Sequence, residues 1–293
     1  MHVMELLGKT RVVVQDGKVV EVGEPQLEWC PLFEKVRHTS KLTKESAKAD
    51  MENRIRELGM FTPKRRFDIG VFASFGASEV MMSALDCGLI DAAVVVCEGA
   101  GSVISNDGKL VQGMCAQMSG LVETEPIPEI IEGITQRGGV VLYPDTAAID
   151  PVGGFKRACQ MGYRRIAVTV VDADTASAVR DAERDAEYDI GAEAKAKDKA
   201  KAIIIGAHIT GMGDENAARF IGLVDITTAC ASRVMRAQVR PLVQVGTAIP
   251  LFAFTQFGKE LLIGRAKDVG SAILVNTQKL PSLPSEKQPY PLK

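Results

Sequence analysis

The chain has 293 residues, with 35 basic against 37 acidic side chains and six cysteines. A chain of this length hides about 70–75% of its unfolded surface on folding and needs no disulfide staples. Its near-neutral charge provides no field for gripping a polyanion, which argues against nucleic acid as the main partner. No basic start leads into an apolar run, and no stretch approaches the roughly 18 apolar residues of a membrane helix, so a soluble cytoplasmic protein with reduced thiols is expected.

Residues 11–22 alternate around Asp16-Gly17, with Val12 to Val14 before the pair and Val19, Val20 and Val22 after it, which is a two-residue hairpin signal. Ala47, Met51, Ile55 and Leu58 share one helical face over 43–58, with Thr43 as N-cap and Gly59 as the stop. Residues 1–65 therefore read as a hairpin-and-helix arm. From Phe67 onward short apolar runs alternate with helical patterns. Strands are expected at 69–73, 92–97, 139–143, 166–171, 202–207, 224–228, 243–246 and 250–254. Helices are expected at 77–87, 126–136, 151–162, 174–186, 214–221 and 231–238. This pattern predicts an α/β fold with a mainly parallel, Rossmann-like sheet covered on both faces.

Two segments are alike in spacing. Ala73 to Gly88-Leu89-Ile90-Asp91 and Ala207 to Gly222-Leu223-Val224-Asp225 each span fifteen residues from motif to motif, and each runs on to a cysteine, Cys97 or Cys230. This likeness suggests two related halves, 66–165 and 166–277, although common Gly-Leu-Ile-Asp turns explain it equally well. The alternation of Ala with charged residues over 192–202 reads as a solvated helix or loop. Pro281, Pro284, Pro289 and Pro291 make 278–293 a mobile tail.

Ligands of parallel sheets bind beyond the carboxyl ends of the strands, so the strand-end loops hold the site candidates. They offer Ser74, Gly76 and Ser78, then Gly99 and Gly101, then Thr210 and Gly211, and finally Ser232, as residues that let a cofactor approach the backbone. The glycine loops at 99–101 and 211–213 are incomplete dinucleotide fingerprints, with Ile104 and Asn216 where a third glycine belongs. None of the cysteines sits in a C-x-x-C pair, which argues against a zinc ribbon. Cys87 and Cys159 read as core filling, and Cys115 is unassigned. Cys30, Cys97 and Cys230 are metal-ligand candidates that could hold an iron-sulfur cluster with one iron open, unless they are buried inert thiols. His208 is a candidate general base, and Glu98 could orient or deprotonate a ligand. The basic run Lys64-Arg65-Arg66 reads as solvated.

Several motifs in order carry a resemblance. They are Trp29-Cys30-Pro31-Leu32-Phe33, Ser74-Phe75-Gly76-Ala77-Ser78-Glu79, Cys97-Glu98-Gly99-Ala100-Gly101, Ser119-Gly120-Leu121-Val122-Glu123-Thr124, Thr228-Ala229-Cys230-Ala231-Ser232 and Gln244-Val245-Gly246-Thr247. Together they resemble the family called methanogenesis marker protein 8, over about residues 10 to 270. The resemblance implies a cytoplasmic protein of methanogenic archaea tied to methane metabolism, and it brings no reaction and no catalytic residue. Members of that family often have cysteine where this chain has Phe61, so no role for that thiol carries over.

The expectation is a crevice that binds a metal cluster or a small sulfur-containing or anionic cofactor, in a protein supporting maturation or redox upkeep of a methanogenic enzyme. Two alternatives stay open: a nucleotide-dependent Rossmann-like oxidoreductase or transferase, and a non-catalytic assembly partner docking through the arm and tail.

Overall fold

In the arm, β1 (His2–Leu6), β2 (Thr10–Gln15) and β3 (Lys18–Val22) form an antiparallel meander. Asp16 and Gly17 at its tip both take positive φ, 50° and 69°, as a two-residue turn of the right twist requires. After α1 (Pro31–Arg37), α2 (Lys44–Leu58) opens with a capping box between Thr43 and Ser46 and closes on left-handed Gly59. Its apolar face, Ala47, Met51 and Leu58, packs on Met4, Leu6, Val12 and Val14 of the meander. The computed structural model describes residues 1–6, 9–118, 120–189 and 199–293. Of the Ala-and-charge stretch 192–202, residues 192–198 lie outside the described residues, as does Ser119.

The rest of the chain runs through α3 (Ala77–Asp86), β4 (Ala92–Cys97), β5 (Gly101–Ser105), α4 (Gly108–Cys115), β6 (Gly120–Glu123), α5 (Pro128–Thr135), β7 (Val140–Val141) and α6 (Pro151–Gln160). It continues through β8 (Arg165–Val170), α7 (Ala173–Asp189), β9 (Lys201–Gly206), α8 (Asp214–Ile221), β10 (Ile226–Thr228), α9 (Arg233–Gln238), β11 (Val243–Val245), β12 (Leu251–Ala253) and α10 (Gln256–Asp268). Strand β6 joins the meander beside β1, giving the order β3-β2-β1-β6. The main sheet has the order β11-β12-β10-β9-β8-β4-β5-β7. Its alternate residues feed two cores. Ile166, Val168, Ala202 and Ile204 pack with α6, α7 and α8, whereas Ala167, Ile203 and Ile205 pack with α3, α4 and α10. No helix among the described residues is long and apolar enough to cross a membrane.

The α/β class stands, but the main sheet is mixed. Only β10, β9, β8 and β4 run parallel, and antiparallel hairpins flank them on both sides. The strand expected at 69–73 does not form. The place beside β4 is taken by β5, and the amides of Phe72 and Ala73 donate instead to the Glu79 carboxylate, each at 3.0 Å. The two segments alike in spacing are therefore built differently: the second is β9-α8-β10, while the first has no leading strand. Their shared turn has a local cause. Asp91 and Asp225 each donate a backbone N–H to the neighbouring strand and accept from that strand's amides through the carboxylate.

The Pro-rich segment expected as a mobile tail lies against the body. Tyr290 bridges and stacks on Trp29, Leu292 packs beside Leu27, Cys30 and Phe33, and Lys293 exchanges backbone hydrogen bonds with Ala231 and Arg233.

Candidate functional site

The carboxyl ends of β8, β9 and β10 face the arm, and between them lies a crevice of about 730 Å3. Its walls come from β1 and β6 on one side, from the loops after β8, β9 and β10 on another, and from α1, α2, the loop 72–76 and the start of α3 on the remainder. Of the residues expected from sequence, Gly76, Ser78, Thr210, His208, Cys30 and Cys230 line it.

His208 follows β9 with a φ of 54°, a backbone conformation that costs a non-glycine residue about 1–3 kcal/mol and that clusters at functional sites. Its Nε2 lies 2.7 Å from Oε2 of Glu5 on β1. The ring face rests on Gly120, where an added Cβ would fall 2.2 Å from the His208 Cδ2. Burial pushes the imidazole below its ordinary 6.5, partly opposed by Glu5. The Glu5 carboxylate falls to about 2, chiefly through its bond to His208, with Lys9 2.9 Å away adding to the effect. An ionised carboxylate can only accept, so Nε2 carries the hydrogen and the Nδ1 lone pair is left as a basic site.

Cys230 also has positive φ, 41°, and its Sγ lies 3.3 Å from the Thr228 hydroxyl. Burial raises the pKa of Cys30, ahead of α1, and the nearby Cys230 adds a smaller push in the same direction. Arg236 is 4% exposed and has no carboxylate partner among the described residues: Nε and Nη2 donate to the Cys230 carbonyl, Nη2 also to Ala248, and Nη1 has no partner among them. Burial pulls this guanidinium down to about 10, and the two thiols work against that pull.

The remaining expected residues are elsewhere. Glu98 is fully buried and ion-paired to Arg65, itself fully buried, which also donates to the carbonyls of Gly113 and Met114. The basic run is thus not wholly solvated, and Glu98 does not line the crevice. Cys97 sits beside this pair with its thiol raised well above 9 by burial, whereas Cys115, pushed up to about 12 by burial, does line the crevice. Cys97 does not line the crevice with Cys30 and Cys230. Among the described residues no three His, Cys, Asp or Glu side chains are grouped to hold a metal ion. Gly99 and Gly101 make the β4–β5 hairpin, where a Cβ on Gly101 would strike the Ala147 carbonyl, so that loop leaves no phosphate cradle. Ser74 offers its carbonyl to Arg265, Ser232 caps α9, and Gly211 lies in the following turn with open space around it. Cys87, expected in the core, is exposed at the end of α3.

Sequence reasoning missed Glu5, Lys9, Arg37, Asp50 and Arg54, all of which line the crevice. One signal was available: Asp50 and Arg54 interrupt the buried face of α2 four residues apart, where two charges have no business unless paired.

These features define an α/β protein with a crevice between the strand ends of a mixed sheet and a second, antiparallel sheet. The chain belongs to the family described as an uncharacterized protein conserved in archaea (DUF2099), matched over residues 2–267. It is similar to the uncharacterized protein MJ0054 of Methanocaldococcus jannaschii, with 43% identity over 295 residues and 99% of each chain covered. No solved structure matches the chain.

Proposed function

We propose that this protein binds a small anionic or sulfur-containing cofactor in the strand-end crevice and, as a member of the methanogenesis marker protein 8 group, supports maturation or redox upkeep of a methanogenic enzyme. The observation that carries the binding role is the convergence of His208, Cys230 and Cys30 on one cavity large enough for a cofactor-sized molecule. The methanogenic setting rests on the sequence motifs and on the relative from a methanogen. A three-thiolate iron-sulfur cluster fits less well, because Cys97 is packed with Arg65 and Glu98 rather than with the other two cysteines. The Rossmann-like, nucleotide-dependent alternative keeps only the β9-α8-β10 unit and its Gly211 loop in its favour.

The test is native alkylation with neutral iodoacetamide, followed cysteine by cysteine through peptide mass mapping. An open crevice makes Cys230 react while Cys97 stays unmodified; Cys230 reacting no faster than Cys97 refutes the reading. Native mass spectrometry of protein purified without oxygen then gives the mass of the occupant.

A further inference from the structure

The arm side of the crevice holds a charge arrangement that the rest of the site does not use. Arg37, in the last turn of α1, places Nε 2.5 Å from Asp50 Oδ1, and Arg54, one turn after Asp50 on α2, places Nη2 2.7 Å from Asp50 Oδ2. Arg37 Nη2 also donates to the Gln117 side chain at 2.9 Å, and Arg54 Nη1 donates to the Gln117 carbonyl. Two guanidiniums therefore share a single carboxylate. The Arg54 side chain is only 8% exposed, and its Nε–H has no partner among the described residues.

A buried cation in excess is costly unless something neutralises it. The other carboxylates of the crevice are engaged elsewhere. Glu79 accepts from Phe72, Ala73, Ser78 and Gln112, Asp172 accepts from the amide and hydroxyl of Thr175, and Glu5 is held by His208 and Lys9. Among the described residues, no further acid of the crevice lining is left for the arginine pair. An oxyanion entering the crevice would supply the missing charge, and guanidinium forks match the planar or tetrahedral oxygens of such groups.

We infer that Arg37 and Arg54 form the subsite for the anionic group of the crevice ligand, a carboxylate, phosphate or sulfonate. This inference rests on the crevice reading above and gives the ligand an orientation, with its anionic end at α1 and α2 and its other end toward His208 and Cys230.

The experiment uses inorganic phosphate as probe, with chloride at matched ionic strength as reference, and reads apparent affinity from the dependence of Tm on phosphate concentration. Full-length protein should show a phosphate-specific rise. Arg37→Gln should weaken apparent phosphate affinity by about tenfold or more, while Arg11→Gln, which removes a surface partner of Glu21, should leave it unchanged. Arg54→Gln should abolish the response. Should that variant fail to fold, the more exposed Arg37 decides the matter alone. No phosphate-specific rise in the unmodified protein, or an equal rise in Arg37→Gln, overturns the subsite. Such a failure with Cys230 still reactive toward iodoacetamide leaves the crevice standing without its anion end. An unreactive Cys230 removes the crevice and the subsite together.

Discussion

Glu98 was attractive as a catalytic carboxylate and is instead one half of an ion pair with no exposure on either side chain. Replacing it by glutamine keeps the shape and removes the charge, leaving Arg65 buried as an uncompensated cation. Breaking one side of a buried pair costs about 3–5 kcal/mol. Arg65 keeps acceptors in the carbonyls of Arg66, Gly113 and Met114, and the new amide oxygen can still accept, so the lower end, about 3 kcal/mol, applies. Unfolding entropy scales with length at roughly 2.1 cal/mol/K per residue, which for a chain of this size converts 3 kcal/mol into a Tm lower by about 5 °C. Urea unfolding of Glu98→Gln, with the slope checked for constancy, measures the loss. The double variant Arg65→Met with Glu98→Leu removes both charges and should recover to within about 1 kcal/mol of the parent. A loss below about 1 kcal/mol in Glu98→Gln, or a double variant no more stable than the single one, would refute the assignment of this pair to the core.

Glu5 titrates at about 2 in the folded protein against an ordinary 4.5, so its contribution is complete above pH 4.5 and drains away as pH falls toward 2. With the side chain 26% exposed, screening reduces the benefit to about 1–2 kcal/mol. Glu5→Gln should lose that amount at pH 7 and nothing near pH 2, and a constant deficit across urea titrations from pH 7 to 3 would contradict it. Gly120→Ala drives a methyl into the His208 ring; a loss of about 1–3 kcal/mol and a shifted His208 resonance in NMR titration are expected. Leu292→Ala removes packing from the Cys30 cluster and should speed Cys30 alkylation, measured by the same mass mapping. Thr43→Ala removes the α2 cap and should cost about 1 kcal/mol in urea unfolding.

The local signals in the sequence were strong where one rule dominated. Asp16-Gly17 called for its turn, Thr43 and Gly59 marked the ends of a helix, and the apolar runs at 92–97, 166–171 and 202–207 became neighbouring parallel strands. Residues 69–73 are apolar enough for a strand, but sheet membership depends on which neighbour wins, and β5 won through a hairpin closed by Gly99 and Gly101. The short strand β6 escaped for the same reason, since its partner β1 lies more than a hundred residues away along the chain. His208, Thr210 and Cys230 could be placed because strand-end loops converge in any parallel sheet. Glu98 and Cys97 occupy a strand end too, but the hairpin turns them inward. The arginine pair was hidden because it belongs to the arm, and nothing local shows that the arm forms a wall of the crevice.

The bond between Glu5 and His208 joins positions 203 apart, and β1 finds its partner β6 more than a hundred residues downstream. Contacts of such separation repay their loop-closure entropy only when most of the chain is already in place. The site thus has no complete local precursor: the arm carries Arg37, Asp50 and Arg54, the α/β portion carries His208 and Cys230, and only the whole chain brings the two sides together. Ligand binding and global folding should be lost in the same cooperative step, and a truncated chain offers no minimal binding fragment to recover.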